Sequence, residues 1–440
     1  MPRTGPRDCA LDALRAAAVE HRFIDAVLNE RLGAAGLSAA DRSLVTELAY
    51  GATRRRLTLD WLIERYSDRP LAKLDARLRP VLHVALYQLL FMDKVPDYAA
   101  VNEAVEAAKR DVHAGAGKFV NGLLRAVLRA KADIPWPAPD DDLVEHLAVV
   151  HSHPRWLIRR WLANFGRDET ARICVAGNVP PPVTLRANRL KVSRDELIEH
   201  LHAEGVEAEA VGGDEAVGGD EAAVRVHAHK PLDALDAYPR GEFYAQDVTA
   251  MTVSRVLEPQ PGERVLDLCA APGGKTGHCA ELMGDAGRVV ACDLDQKRLD
   301  VLLANMARLG ITCVETARCD ARHVPELMPP ASFDRVLLDA PCTNTGVLRR
   351  RADARWRLKE EDVRQLSARQ GQLLDAAARM VRPGGLLVYS TCSIEPEEND
   401  GAVRSFLSRH GEFRLESETL LLPAAEGGDG GYTARMLREG

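Results

Sequence analysis

Along the first 135 residues apolar side chains recur at helical spacing, with no strand-like alternation. Leu11, Leu14 and Ala18 mark one stripe, and Leu44, Val45, Leu48 and Ala49 another. Ser38, ahead of Ala39-Ala40-Asp41, stands where a helix N-cap is expected. Val81 to Met92 is almost wholly apolar, the pattern of a helix buried on every side. Gly115 and Gly117 are expected to separate two further helices. Residues 1–135 therefore read as an all-α bundle of about six helices.

The run Ile134-Pro-Trp-Pro-Ala-Pro139 blocks helix continuation and reads as a linker. Residues 140–178 return to a helical pattern carrying Trp156, Trp161 and Phe165, and Pro180 to Asn188 reads as a loop entering a strand. Mixed strand and helix patterns to residue 245 predict a small α+β module over 140–245. Within it AVGGDE occurs twice, at Ala210–Glu215 and Ala216–Glu221. Glycine and acidic residues without apolar partners predict a flexible surface loop there.

From residue 246 short apolar runs alternate with helices. The runs are Arg264–Leu268, Arg288–Asp293, Cys313–Cys319, Arg335–Asp339 and Leu386–Ser390. Such alternation predicts a parallel, doubly wound sheet. Phe413–Leu420 and Tyr432–Leu437 read as antiparallel edge strands. The expected fold is multidomain: an all-α bundle (1–135), an α+β linker module (140–245) and a Rossmann-like α/β domain (246–440).

A chain of 440 residues fits several domains. No apolar run reaches the roughly 20 residues needed to span a bilayer, and Met1 to Ala10 holds no apolar signal core, so no membrane association and a cytoplasmic location are expected. Nine cysteines, none in CxxC spacing, read as reduced thiols rather than a disulfide or zinc framework. The net charge of −7 counts mildly against a nucleic-acid binder. Residues 1–130, however, hold 20 Lys/Arg against 16 Asp/Glu, and local patches bind phosphate inside an acidic protein.

The first α/β strand runs into the loop VLDLCAAPGGKT, residues 265–276. A phosphate-binding P-loop would need glycine at position 269, where Cys269 stands, and the dinucleotide GxGxxG is absent. The remaining reading is a loop for S-adenosyl-L-methionine, as in class I methyltransferases. Asp293, ending the second strand, is placed to accept hydrogen bonds from ribose hydroxyls. Asp320, after the third, is a weaker candidate for the adenine edge.

The fourth strand leads into Asp339-Ala-Pro-Cys342 and the fifth into Ser390-Thr-Cys-Ser393. Both leave the carboxyl edge of the sheet, where ligands bind. Two thiols there fit a specific chemistry. Cytosine C5 is a poor nucleophile until a thiolate adds at C6, and a base must later remove the C5 proton so that the thiolate can leave. Asp339 is positioned to hydrogen-bond N3 of the ring.

With Pro396-Glu-Glu-Asn399, these segments resemble the RNA cytosine-5 methyltransferases, and within them the bacterial RsmB (Sun, Fmu) group. The NusB-like RNA-binding domain of that group resembles the helical bundle here, at Asp97 to Ala108 and Lys118 to Arg125. The resemblance implies that Cys392 is the nucleophile and that Cys342 assists release. It implies cofactor binding by Cys269, Ala270, Ala271, Pro272, Gly273, Gly274, Lys275, Asp293, Asp320 and Asp339, with no metal. It implies a cytosine of 16S rRNA as target, in free RNA or an early small-subunit particle, and a monomeric enzyme. A tRNA substrate, or a non-catalytic RNA-binding factor, remain alternatives. The chain departs from the family pattern at Arg349-Arg-Arg-Ala-Asp-Ala-Arg-Trp356, with alanine where proline is expected, and at Gly428-Asp-Gly-Gly-Tyr432 in place of GDGFF. Arg349, Arg350, Arg351, Arg355 and Arg357 with Trp356 are expected RNA contacts, with Arg54, Arg55, Arg56 and Arg186 as further candidates.

Overall fold

The computed structural model describes residues 5–20, 22–34, 36–211, 221–227 and 230–440. Apart from Ala210, Val211 and Glu221, the AVGGDE repeat lies outside the described residues. The chain forms two compact units, Met1–Val179 with Arg351–Arg357, and Pro180–Arg350 with Leu358–Gly440.

In the first unit, seven described helices run from Pro6 to Ala130. The helix Leu78–Phe91 is central, with ten of its residues buried. It is apolar all round because other helices cover each of its faces. Ser38 caps the helix Ala39–Arg54, its side chain accepting from the Asp41 N–H at 3.1 Å. The break expected at Gly115 and Gly117 falls instead at Val112–His113, between the helices Asp97–Asp111 and Ala114–Ala130. His113 Nδ1 caps the second helix, accepting from the Ala116 N–H at 3.1 Å. A Cβ on Gly117 would stand 2.5 Å from Lys109 Cγ. Glycine there serves the close approach of two helices, not a chain reversal. The Pro-rich run after them is pinned: Ile134 is buried and Trp136 stacks on Trp61 at 5.3 Å. The helices Leu143–His151 and Arg155–Ala176 follow.

The second unit begins with an antiparallel sheet of β1 (Val183–Ala187), β2 (Glu207–Ala210), β3 (Ala223–His227) and β4 (Phe243–Ala245), in the order β2-β3-β1-β4. A larger sheet follows, made of β5 (Arg264–Leu268), β6 (Arg288–Asp293), β7 (Val314–Arg318), β8 (Phe333–Asp339), β9 (Val381–Thr391), β10 (Phe413–Leu421) and β11 (Gly431–Arg438). Its order is β10-β11-β9-β8-β5-β6-β7. The strands β5 to β9 pair in parallel, and β11 is antiparallel to both β9 and β10. β11 is thus interior; of the two strands expected at an edge, only β10 lies there.

The parallel strands read as continuous apolar runs because both faces are covered. Leu266, Leu268, Val336 and Leu338 enter one core, while Val265, Val289, Leu337 and Val388 enter the other. From β5 the chain builds outward through β6 and β7, then returns to β8 on the other side of β5. That reversal opens a crevice at the carboxyl ends of β5 and β8, the usual ligand position in such sheets. Among the described residues no helix is long and apolar enough to cross a membrane.

Candidate active site

β5 ends in a turn of small residues, Cys269 to Gly273, and the helix Gly274–Leu282 starts directly after it. Gly273 has a φ of 100°, and a Cβ there would meet Leu302 Cγ at 2.7 Å. Only glycine fits. Below the turn, Asp267 is fully buried. Its Oδ2 accepts from Thr276 Oγ1 at 2.6 Å, while Oδ1 has no hydrogen-bond partner. Burial pushes its carboxyl up to about 7. Burial likewise pushes the Cys269 thiol up to about 12.

The other expected cofactor residues stand at the carboxyl ends of successive strands. Asp293 ends β6, accepting from the Ala271 N–H at 3.2 Å and the Asp295 N–H at 3.1 Å, with Arg298 3.3 Å away. It therefore ties the β5 turn to the β6 turn, and a carboxylate has lone pairs left for a ligand. Asp320, just after β7, accepts from the Arg322 N–H at 3.0 Å, and the Arg322 side chain holds its carboxyl down at about 2. Asp339 ends β8, bound by Lys275 Nζ at 2.6 Å and Ser390 Oγ at 2.8 Å. The loop 269–275 and these three aspartates share one edge of the sheet. Small residues at the turn, an orphaned buried carboxylate oxygen beneath it and an acidic strand end beside it fit S-adenosylmethionine.

Strand register brings the two cysteine loops close together. β8 and β9 are neighbours, with Asp339 opposite Ser390. Three residues beyond one and two beyond the other, the backbone N–H of Cys392 reaches the sulfur of Cys342 at 3.3 Å. The hydrogen bond with the Cys392 side chain, then burial, push the Cys342 thiol well above the ordinary cysteine range. Burial opposes the charge on Lys275, but Asp339 and then Cys392 outweigh it and hold the ammonium above the usual lysine range. Cys392, Lys275, Asp339 and Ser390 line one small cavity with Asp429 and Gly430.

Beneath the cysteine loops lies a buried carboxylate to which the sequence pattern assigned no role. Glu398 accepts from the Thr343 N–H at 3.0 Å, from Ser393 Oγ at 2.5 Å and from Gln370 Nε2 at 2.9 Å, and it also binds Thr343 Oγ1. Thr343 follows Cys342 and Ser393 follows Cys392, so one side chain holds both loops. Burial raises its carboxyl, although these donors pull it down. Asn399 adds a bond to Thr391 Oγ1 at 2.6 Å. The signal was present in Pro396-Glu-Glu-Asn399, but spacing alone does not tell a structural carboxylate from a solvated one. The C-terminal Gly428-Asp-Gly-Gly segment closes the site. Gly430 N–H donates to Gly346 O at 2.8 Å, and Gly346 N–H to Cys392 O at 2.9 Å.

The structure corrects the expected arginine clamp at Arg349, Arg350, Arg355, Arg186, Arg54 and Arg55. Arg349 is buried and binds Asp429 at 2.5 Å and the carbonyls of Ala424 and Gly427. Arg350 joins Asp429 to Asp247, the latter at 2.7 Å. Arg355 is fully buried in the first unit, donating to the carbonyls of Arg54, Ser152 and Gly177 and to Asn178 Oδ1. Arg186 is also fully buried, paired with Glu281 at 2.8 Å. Arg54 is buried and Arg55 donates to the Val150 carbonyl. A run of arginines after a strand reads as a phosphate clamp, yet orphan carbonyls and buried carboxylates compete for the same guanidinium groups. Arg351 stays exposed, and Trp356 spends its indole N–H on the Thr53 carbonyl at 2.7 Å.

Comparison with known proteins agrees with this architecture. The family described as 16S rRNA methyltransferase RsmB/F matches residues 254–437, the NusB family matches residues 4–129, and the RsmF/B-like ferredoxin-like domain matches residues 153–218. The probable ribosomal RNA small subunit methyltransferase B of Bacillus subtilis (strain 168) is 36% identical over 413 residues, covering 94% of this chain and 90% of its own. The ribosomal RNA small subunit methyltransferase B of Klebsiella pneumoniae is 36% identical over 409 residues, covering 91% of each. Among solved structures, the protein PH0851 superposes with a TM-score of 0.82 at 30% identity over 99% of both chains. A methyltransferase homolog protein from Pyrococcus horikoshii matches at a TM-score of 0.59 and 27% identity, covering 68% of this chain and 99% of its own. With a NusB-type helical domain, a seven-stranded Rossmann-like sheet and relatives of this similarity over nearly its whole length, the chain is an RNA methyltransferase that belongs to the RsmB/F family of 16S rRNA methyltransferases.

Proposed function

We propose that the protein transfers a methyl group from S-adenosyl-L-methionine to C5 of one cytosine in 16S rRNA, through a covalent bond between Cys392 and C6. The helical region 1–135 and the module 140–245 hold RNA, and residues 246–440 carry out the transfer. The observation that supports the chemistry best is the 3.3 Å contact between Cys392 and Cys342, beside the Lys275–Asp339 pair. In this reading Cys269 to Lys275, Asp293, Asp320 and Asp339 hold the cofactor, which supplies an electrophilic methyl when bound.

The steps follow from the charges present. Cys392 attacks as a thiolate beside the Lys275 ammonium, and the sulfur–C6 bond forms as the C5–C6 π pair is released toward C5. N3 takes a proton relayed from the Lys275 ammonium through Asp339, 2.6 Å away, and holds it while the ring carries that pair. C5 then takes the methyl that the bound cofactor would supply, the sulfonium sulfur keeping the bond pair as a neutral thioether. With the Cys392 sulfur bonded to C6, the hydrogen bond that does most to keep the proton on Cys342 is gone. Cys342 then passes that proton to water and, as thiolate, accepts the C5 proton, so that one proton is released overall. The C5–C6 double bond re-forms, N3 gives its proton back, and Cys392 leaves as thiolate. The target base must be unpaired or flipped, since C5 and C6 must face methyl and thiol together.

Bisulfite mapping of 16S rRNA from cells lacking the protein tests the reading. Loss of a single protected cytosine, restored by the wild-type chain but not by Cys392→Ala, is the expected result. Unchanged protection at every position contradicts it.

A further inference from the structure

The helical unit contains a recess of its own, of about 400 Å³. Recesses that hold small ligands run to roughly 300–1,000 Å³. Its floor is apolar, with Leu14, Ile24 and Pro80, while Arg56, Arg79, Arg357, Trp356 and Asp353 supply the polar part of its lining. Arg56 lies 5.8 Å from the centre of the Trp356 ring, whose plane is fixed by the indole bond to Thr53. Arg357 lies 4.3 Å from the ring of Phe23, which is 46% exposed. Asp60 engages Arg79 and His83, with His83 Nε2 at 2.7 Å, so Arg79 is already neutralised. Arg56 and Arg357 are paired as well, with Asp60 at 3.9 Å and Asp353 at 3.7 Å, and Arg357 also donates to the Arg22 carbonyl, but both side chains stay partly exposed.

Asp353 adds a second signal. Its Oδ2 accepts from the Ile24 N–H at 2.9 Å, but its Oδ1 is buried with no hydrogen-bond partner. A buried acceptor left without a donor is costly and calls for an explanation. A flat aromatic group with N–H donors on one edge and an anionic group on another complements this lining. A nucleotide has all three, and guanine presents two adjacent donors to a carboxylate. Stacking on aromatic rings and arginine planes is how unpaired RNA bases are commonly held.

We propose that this recess receives an unpaired RNA nucleotide, its base against Trp356 with an amino edge toward Asp353 and its phosphate at Arg56 and Arg357. The chain would thus grip its RNA at a second point, whatever the division of labour between the two cysteines. The test uses the full-length protein and a 16S rRNA transcript, measuring binding as a function of salt. The double variant Arg56→Gln, Arg357→Gln should bind about tenfold more weakly, with the slope of log affinity against log salt reduced by about one for each lost phosphate contact. Its thermal unfolding should match wild type, because both side chains are partly exposed. Ultraviolet crosslinking of the wild-type complex, read by mass spectrometry, should leave a nucleotide remnant on the peptide holding Phe23 or Trp356. Wild-type affinity and salt slope in the double variant, or crosslinks confined to other peptides, would overturn the proposal. Both readouts report binding, so they are independent of any failure of methyl transfer.

Discussion

The backbone N–H of Cys392 points at the sulfur of Cys342 across 3.3 Å, joining loops fifty residues apart in the chain. Adjacent parallel strands bring the loops near, but register alone does not fix two turns beyond a sheet edge. Glu398 does so by binding the residue after each cysteine.

Replacing Glu398 with alanine should therefore leave four donors without their acceptor and let the cysteine loops drift. We expect kcat to fall by about a hundredfold or more, since small misplacements at reacting atoms are expensive, while the affinity for S-adenosylmethionine stays within about twofold. Glu398→Gln keeps the shape and one acceptor oxygen and should recover part of the loss. Steady-state kinetics with calorimetric cofactor binding separates this outcome from general unfolding, which would depress both quantities together.

Asp267 leads to a pH prediction. Its carboxyl is raised to about 7 in the folded protein by burial, against an ordinary value near 3.8. The folded state thus holds a proton that the unfolded chain releases at lower pH. The Asp267 contribution to stability is fully present below about pH 4 and is lost as pH rises through about 7, by a few kcal/mol at most. Asp267→Asn retains an acceptor for Thr276 and removes the titration. Thermal unfolding of the cofactor-free variant should lose this decline between pH 4 and pH 8. An unchanged pH dependence would show that Asp267 ionises normally.

Arg355 was a natural candidate for an RNA contact and is instead a strut. Four acceptors of the helical unit converge on it, and burial lowers its pKa to about 9. Arg355→Leu should destabilise the protein by on the order of 3 kcal/mol, because carbonyls buried around the guanidinium lose their donor. Differential scanning calorimetry measures the loss. A variant of wild-type stability with a reduced salt slope for RNA would restore the phosphate-clamp reading.

These cases show which features a sequence exposes. The parallel strands were apparent because both of their faces are buried and their residues are uniformly apolar. The helix Leu78–Phe91 was apparent for the same reason. The chemistry-bearing Asp293, Asp339, Cys342 and Cys392 follow directly from strand ends, so their shared edge could be anticipated from order alone. What stayed hidden depends on partners distant in sequence. Arg349 finds Asp429, Arg186 finds Glu281, and Glu398 finds Thr343, and no local pattern separates such buried pairs from solvated charges. Gly117 misled for a related reason: its purpose is a neighbouring helix, not its own turn.

The central claim is the covalent route, with attack by Cys392 and release assisted by Cys342. Its most direct test is a denaturing gel of Cys342→Ala incubated with 16S rRNA and S-adenosylmethionine. The account predicts a slow-migrating protein–RNA species that survives denaturant and disappears in the double variant with Cys392→Ala. An adduct formed by Cys392→Ala alone, or full methylation by that variant, would contradict it.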